Sequence, residues 1–143
     1  MIRVLFVCIQ NAGRSQMAEA FAKTYGAGWI EAFSAGSKPA DAVHPTVAEA
    51  MRERDIRLDQ CRPKGFARLP AGSFDVVVTM GCGDACPATP AARRIDWSIP
   101  DPKGQSIDQV REIRDGIERR VRILLEELRR KSPLTADGSM EQE

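Results

Sequence analysis

The chain has 143 residues, 43% hydrophobic and 29% charged, which is one domain's worth of sequence with a real core. Lys plus Arg number 21 against 20 for Asp plus Glu, a formal charge of +1, so no nucleic-acid partner is expected. Its apolar runs are too short for a membrane span or a signal peptide, so no membrane partner is expected and the cytoplasm is the expected compartment.

Ile2 to Val7 holds five apolar residues out of six, rich in β-branched types, and predicts a buried strand. Ser15 to Ala22 predicts a helix with Met17 and Phe21 one turn apart on its inner face. Gly26 and Gly28 stop it, Trp29 to Ala35 predicts the second strand, and Gly36 to Pro39 a turn. His44 and Pro45 open a helix with proline at its first position, carrying Val47, Ala50 and Met51 on one face. Residues 55–73, with Cys61, Pro63, Gly65, Pro70 and Gly72, read as loop with a short helical turn.

Phe74 to Met80 predicts a third buried strand, Gly81 to Pro87 a long loop, and Arg94 to Trp97 a short edge strand. Another loop covers Pro100 to Gly104. Ser106 with Gln109 three residues on has the form of a capping box. Ile107, Val110, Ile113, Ile117, Val121, Leu124 and Leu128 then recur every three or four residues, an amphipathic helix. Gly116 inside it costs roughly 1 kcal/mol relative to alanine. Arg and Glu on the opposite face read as a solvated surface. Residues 132–143 lack periodicity and are expected to form a loose tail, leaving 1–131 as the domain.

Strands alternating with helices imply an α/β fold: a single domain with a four-stranded parallel sheet, flanked by helices and covered on both faces. The order 2-1-3-4 places a topological switch beside the first strand, and ligands bind at the carboxyl ends of strands near such a switch. Cys8 ends that strand, and Arg14 follows after five residues. A short strand-to-helix loop over Ile9, Gln10, Asn11, Ala12, Gly13, Arg14 and Ser15 aims several backbone N–H groups at one spot. Gly13 is expected to let it curl tightly. Such a nest binds a tetrahedral oxyanion, Arg14 can fork around two of its oxygens, and the same field favours a Cys8 thiolate. A buried strand-end cysteine beside a capping serine is the plainer alternative; Asn11, Gly13 and Ser15 together favour the nest.

Three loops, 8–15, 81–87 and 100–104, are expected to meet at that edge. Asp101, in a rigid Asp-Pro pair, is either a turn residue or a general acid for a departing oxygen. The four cysteines, Cys8, Cys61, Cys82 and Cys86, suggest redox chemistry, catalysis or metal rather than structural staples. Cys82 and Cys86 lie four apart, a spacing that permits a disulfide after modest rearrangement. They could also pack as small hydrophobes, whereas zinc needs about four ligands and Cys61 and His44 are distant in sequence. His44, the only histidine, reads as a helix N-terminal residue, so no Ser–His–Asp system is available. No metal or cofactor is expected.

The string from Val7 to Glu19 resembles the low-molecular-weight tyrosine phosphatase superfamily and, within it, the arsenate reductases of that fold, over roughly residues 2–130. Gln16 stands where phosphatases usually have proline, and Lys103 follows Pro102 where they typically carry tyrosine. The loop ending in Cys86 and Pro87 also looks like the reductase branch. The resemblance implies that arsenate sits in the nest of residues 9–15 with Arg14 on its oxygens. Cys8 attacks arsenic, supported by Ser15 and Asn11, and Asp101 protonates the leaving oxygen. The resulting adduct is resolved in one of two ways. Cys82 and Cys86 pass a disulfide outward to thioredoxin, or a small thiol attacks and a glutaredoxin- or mycoredoxin-type protein finishes.

Thioredoxin-linked members usually carry a second loop cysteine where this chain has Gly13, and their two later cysteines lie farther apart than Cys82 and Cys86. The segment from Met80 to Pro87 looks closer to members using low-molecular-weight thiols. Some members bind potassium near the first helix. Glu19 and Ser34 match two of those ligand positions, but an acidic partner near residue 62 is missing. Cys61 has no counterpart. A phosphatase acting on phosphotyrosine and a non-enzymatic oxyanion-binding or sensor protein are the competing readings.

Overall fold

The computed structural model describes residues 1–81 and 89–131; Cys82, Cys86 and the expected tail 132–143 lie outside the described residues. Four strands, β1 (Ile2–Cys8), β2 (Ile30–Gly36), β3 (Phe74–Thr79) and β4 (Ala91–Asp96), pair in parallel in the order β2-β1-β3-β4. Cys8 lies opposite Gly36, Val7 opposite Thr79, and Thr79 opposite Asp96, so all four carboxyl ends share one edge. The helices are α1 (Arg14–Tyr25), α2 (Pro45–Arg52) and α3 (Ile107–Lys131), with a 3-10 turn at Phe66–Arg68.

Both faces of the sheet are covered, but unequally. Val4, Phe6, Val76 and Val78 point to the face where α1, α2 and α3 pack, with Met17, Phe21, Val47, Met51, Ile117 and Val121 fully buried against them. The alternate residues Leu5, Val7 and Val77, joined by Phe74 at the start of β3, form a smaller cluster on the other face, closed by Phe33, Phe66 and Leu69. Period-2 alternation along β1 divides its side chains between the two.

Element ends follow local chemistry. Gly26 donates its N–H to the Ala22 carbonyl at 2.8 Å and closes α1 at Tyr25, beyond the expected Ala22. At α3 the capping box forms: the Gln109 N–H reaches Ser106 Oγ, and the Ser106 N–H reaches Gln109 Oε1, each at 3.2 Å. β4 begins at Ala91 rather than Arg94, because its ladder with β3 starts with Phe74 opposite Ala91, the Phe74 N–H bonding the Pro90 carbonyl at 3.0 Å. The polar face of α3 also departs from expectation at Arg114, which is 4% exposed. Its guanidinium donates to the Ala50 carbonyl at 2.8 Å, to Glu53 at 2.6 Å and to Asp115 at 2.9 Å, tying α3 to the end of α2.

Candidate active site

The loop from Cys8 to Gly13 is tied down by its carbonyls. Ile9 O accepts from Lys38 N–H, Gln10 O from Ala40, Ala12 O from His44 and Gly13 O from Met17, at 2.8 to 3.0 Å. Among the described residues, the N–H groups of Gln10 to Ser15 have no such acceptor, the last of them because they open α1. The loop therefore presents donors with its acceptors already used, the arrangement that receives an anion.

The tight curl comes from Asn11, whose φ is +53°, and not from Gly13, whose φ is −143°. Asparagine tolerates the left-handed region because its short amide bonds locally. Gly13 serves clearance instead: a Cβ there would sit 2.7 Å from Pro102 Cγ. Two glycines that sequence reasoning did not place in the site also lie against it. A Cβ on Gly36 would meet Ile9 O at 2.5 Å, and one on Gly81, at φ +84°, would meet Arg14 Nη1 at 2.5 Å. A glycine directly after each flanking strand expected from the sequence, Trp29 to Ala35 and Phe74 to Met80, was the available signal.

Cys8, 2% exposed, has its sulfur 2.9 Å from Ser15 Oγ. Neighbouring groups fix the orientation of the Asn11 amide beside Ser15. The Lys64 backbone N–H, which can only donate, reaches Asn11 Oδ1 at 2.9 Å, and Gln16 Nε2 reaches the same oxygen at 3.0 Å. Asn11 Nδ2 therefore spends its two hydrogens on Ser15 Oγ at 2.7 Å and Ser34 Oγ at 3.0 Å. Ser15 Oγ accepts one of these and keeps its own proton, which it can donate to a Cys8 thiolate, a sulfur with no proton of its own to give. Arg14, 7% exposed, donates to the Ile99 carbonyl at 3.2 Å, and its Nη2 lies 3.6 Å from Asp101 Oδ2. Asp101 is half-exposed and turned by a 3.0 Å bond from the Lys103 N–H. Cys8, Asn11, Arg14 and Ser15, from one loop, thus meet the sequence-distant Asp101 at one sheet edge.

His44 stands at the N-cap of α2 beside this loop, and burial lowers its pKa despite Asp101 nearby. Cys61 is exposed at the surface, where partial burial of its thiol and the charge of Glu19 raise its pKa, the reverse of a thiol made reactive. No group of three or more His, Cys, Asp or Glu among the described residues could hold a metal ion. Potassium does not fit either. Lys64 Nζ lies 3.0 Å from Ser34 Oγ and 3.5 Å from Glu19 Oε1, so an ammonium of this chain stands between the two groups that would hold the ion.

Residues 3–134 match the family described as low molecular weight phosphotyrosine protein phosphatase, and the chain belongs to that family. Within it, the chain is 39% identical over 128 residues to a glutaredoxin arsenate reductase of Synechocystis, covering 87% of this chain and 97% of that one. A solved arsenate reductase in its phosphate-binding state superposes with a TM-score of 0.79 at 36% identity, over 89% of this chain and 98% of the other. A thioredoxin-dependent arsenate reductase of Corynebacterium glutamicum gives 0.75 at 36% identity, over 92% of this chain and 64% of that one. No described helix is long and apolar enough to cross a membrane.

Proposed function

We infer that this protein reduces arsenate to arsenite, with Cys8 as nucleophile. The observation that carries the reading is a buried sulfur 2.9 Å from a serine hydroxyl, within a loop of donor N–H groups flanked by Arg14 and Asp101. Arsenate, tetrahedral and anionic, binds the N–H groups of residues 9–15, and Arg14 clamps its oxygens. The Cys8 thiolate forms a bond to arsenic as the bond from arsenic to one of its hydroxyl groups breaks, and that hydroxyl takes the Asp101 proton and leaves as water. Arsenic is still pentavalent in this adduct.

Reduction needs a second thiol. Its sulfur bonds to sulfur, the sulfur–arsenic bond breaks, and the electron pair stays on arsenic, which leaves as arsenite. The thiols are oxidised to a disulfide. That thiol is supplied by Cys82, with Cys86 carrying the disulfide on to a redoxin, or by a small thiol whose mixed product a redoxin resolves. Redoxin-dependent relatives support a redoxin as the final donor. Glycine at 13, where thioredoxin-linked members usually carry a cysteine, and the short spacing of Cys82 and Cys86 favour the small-thiol route.

Arsenate turnover run in parallel with thioredoxin, glutathione–glutaredoxin, mycothiol and bacillithiol systems tests the reading. Arsenite is expected with at least one, lost in Cys8→Ser by about a thousandfold or more. Serine variants of Cys82 and Cys86 then separate the two routes. Brisk hydrolysis of phosphotyrosine with no arsenite from any donor would make the protein a phosphatase. Oxyanion binding that survives Cys8→Ser with no turnover at all would make it a sensor.

A further inference from the structure

The hydrogen-bond relay behind Cys8 does not end at Asn11. Ser34 Oγ donates to the buried Glu19 carboxylate and accepts from Asn11 Nδ2 and Lys64 Nζ, so its single proton and both lone pairs are used. Lys64 touches the relay twice, its N–H on Asn11 Oδ1 at 2.9 Å and its ammonium on Ser34 Oγ at 3.0 Å. It lies on a loop with no strand or helix of its own, 30 residues from Ser34 and 53 from Asn11.

We propose that Lys64 is a positioning residue. Its ammonium is a tethered cation between Glu19 and Ser34, and its backbone N–H sets the direction of the relay that reaches Cys8. The physical need is plain. Glu19 is only 8% exposed, and its charge would otherwise act through Ser34, Asn11 and Ser15 against a thiolate at residue 8. The other charged groups facing the relay are Lys23 of α1, 2.8 Å from Glu19 Oε2, and at the sulfur end Arg14 and Asp101. His44, its pKa lowered by burial, lies beside the loop, and Arg62 and Cys61 border the groove next to Lys64. A lysine in this place replaces a dissolved cation by one whose binding entropy was met when the chain folded.

The inference rests on Cys8 being the nucleophile, and one experiment separates the two. Iodoacetamide modification of Cys8 is followed by peptide-resolved mass spectrometry between pH 5 and pH 9 on the full chain, with arsenate turnover measured alongside. Lys64→Met is expected to slow Cys8 modification at pH 7 by about three- to tenfold and move its profile to higher pH. Lys64→Arg should keep most of the parent rate, and Glu19→Gln in the Lys64→Met background should restore part of it. Parent profiles in sodium and potassium salts should coincide. An unmoved Lys64→Met profile, or a parent profile that shifts with potassium, overturns the proposal for Lys64 alone. If Lys64→Met does not fold, Lys64→Gln carries the same comparison. A parent Cys8 that reacts like free cysteine and is not protected by arsenate overturns the nucleophile reading itself.

Discussion

The molecule has two polar networks of similar size and opposite character. Behind Cys8, a chain of neutral side chains, Ser15, Asn11, Ser34 and Gln16, is buried and saturated, with Glu19 and Lys64 at its far end. Between α2 and α3, the charges of Glu53, Arg54, Arg111, Arg114, Asp115 and Glu118 pair mostly at the surface. The first cannot lose a member without stranding a partner away from water, while the second can trade partners with solvent. A network that must hold one atom in place is built from groups with few ways to rearrange. One that merely joins two helices need not be.

Asn11→Ala should break the contrast most severely. It strands the Lys64 N–H, takes one donor from each of the Ser15 and Ser34 hydroxyls and puts alanine at a φ of +53°, so a loss of about 3 kcal/mol is expected in urea unfolding. A loss under 1 kcal/mol would mean the relay is not rigid. Arg14→Lys comes next: lysine keeps the charge but cannot fork, and kcat/KM for arsenate should fall about 100-fold. Retained affinity and rate would contradict the clamp.

The helix network should respond more weakly and with a definite pH dependence. Hydrogen bonds from Arg111 and Arg114 hold the Glu53 carboxyl down to about 2 from an ordinary 4.5. A depressed carboxyl stabilises the fold above its unfolded value and loses that effect as pH falls through its folded one. Glu53→Gln should therefore melt a few degrees below the parent at pH 7, with the gap closing between pH 4.5 and pH 2. A gap independent of pH would remove Glu53's charge from the account. Smallest of all, Gly116→Ala should stabilise α3 by about 0.5–1 kcal/mol. The nearest atom to the added Cβ is Arg119 Nη2 at 4.0 Å, so there is room; a destabilised variant would show that the glycine is needed for packing.

Much of the fold was legible because periodicity records burial. The run Ile2–Val7, the Met17–Phe21 pair and the repeat along α3 each report which side faces the core, and alternating strands and helices constrain the topology. Where an element ends on a local bond, as at Ser106 and Gln109, the sequence also carries that bond. Arg114 was misread for the complementary reason. Arginine looks solvated in any pattern, and only the approach of Ala50 and Glu53 from another helix buries it.

The candidate site divides along the same line. Sequence alone determined that a cysteine, an arginine six residues on and a helix start share one loop, since those groups are neighbours along the chain and strand-to-helix geometry is local. It also marked Asp101 as a candidate. Tertiary structure decided that Asn11, not Gly13, takes the left-handed turn, that Gly36 and Gly81 give the loop and Arg14 their clearance, and that Lys64 faces Ser34 and Glu19. Those are contacts between segments dozens of residues apart, where closeness is set by how the sheet edge closes and no residue type announces it beforehand.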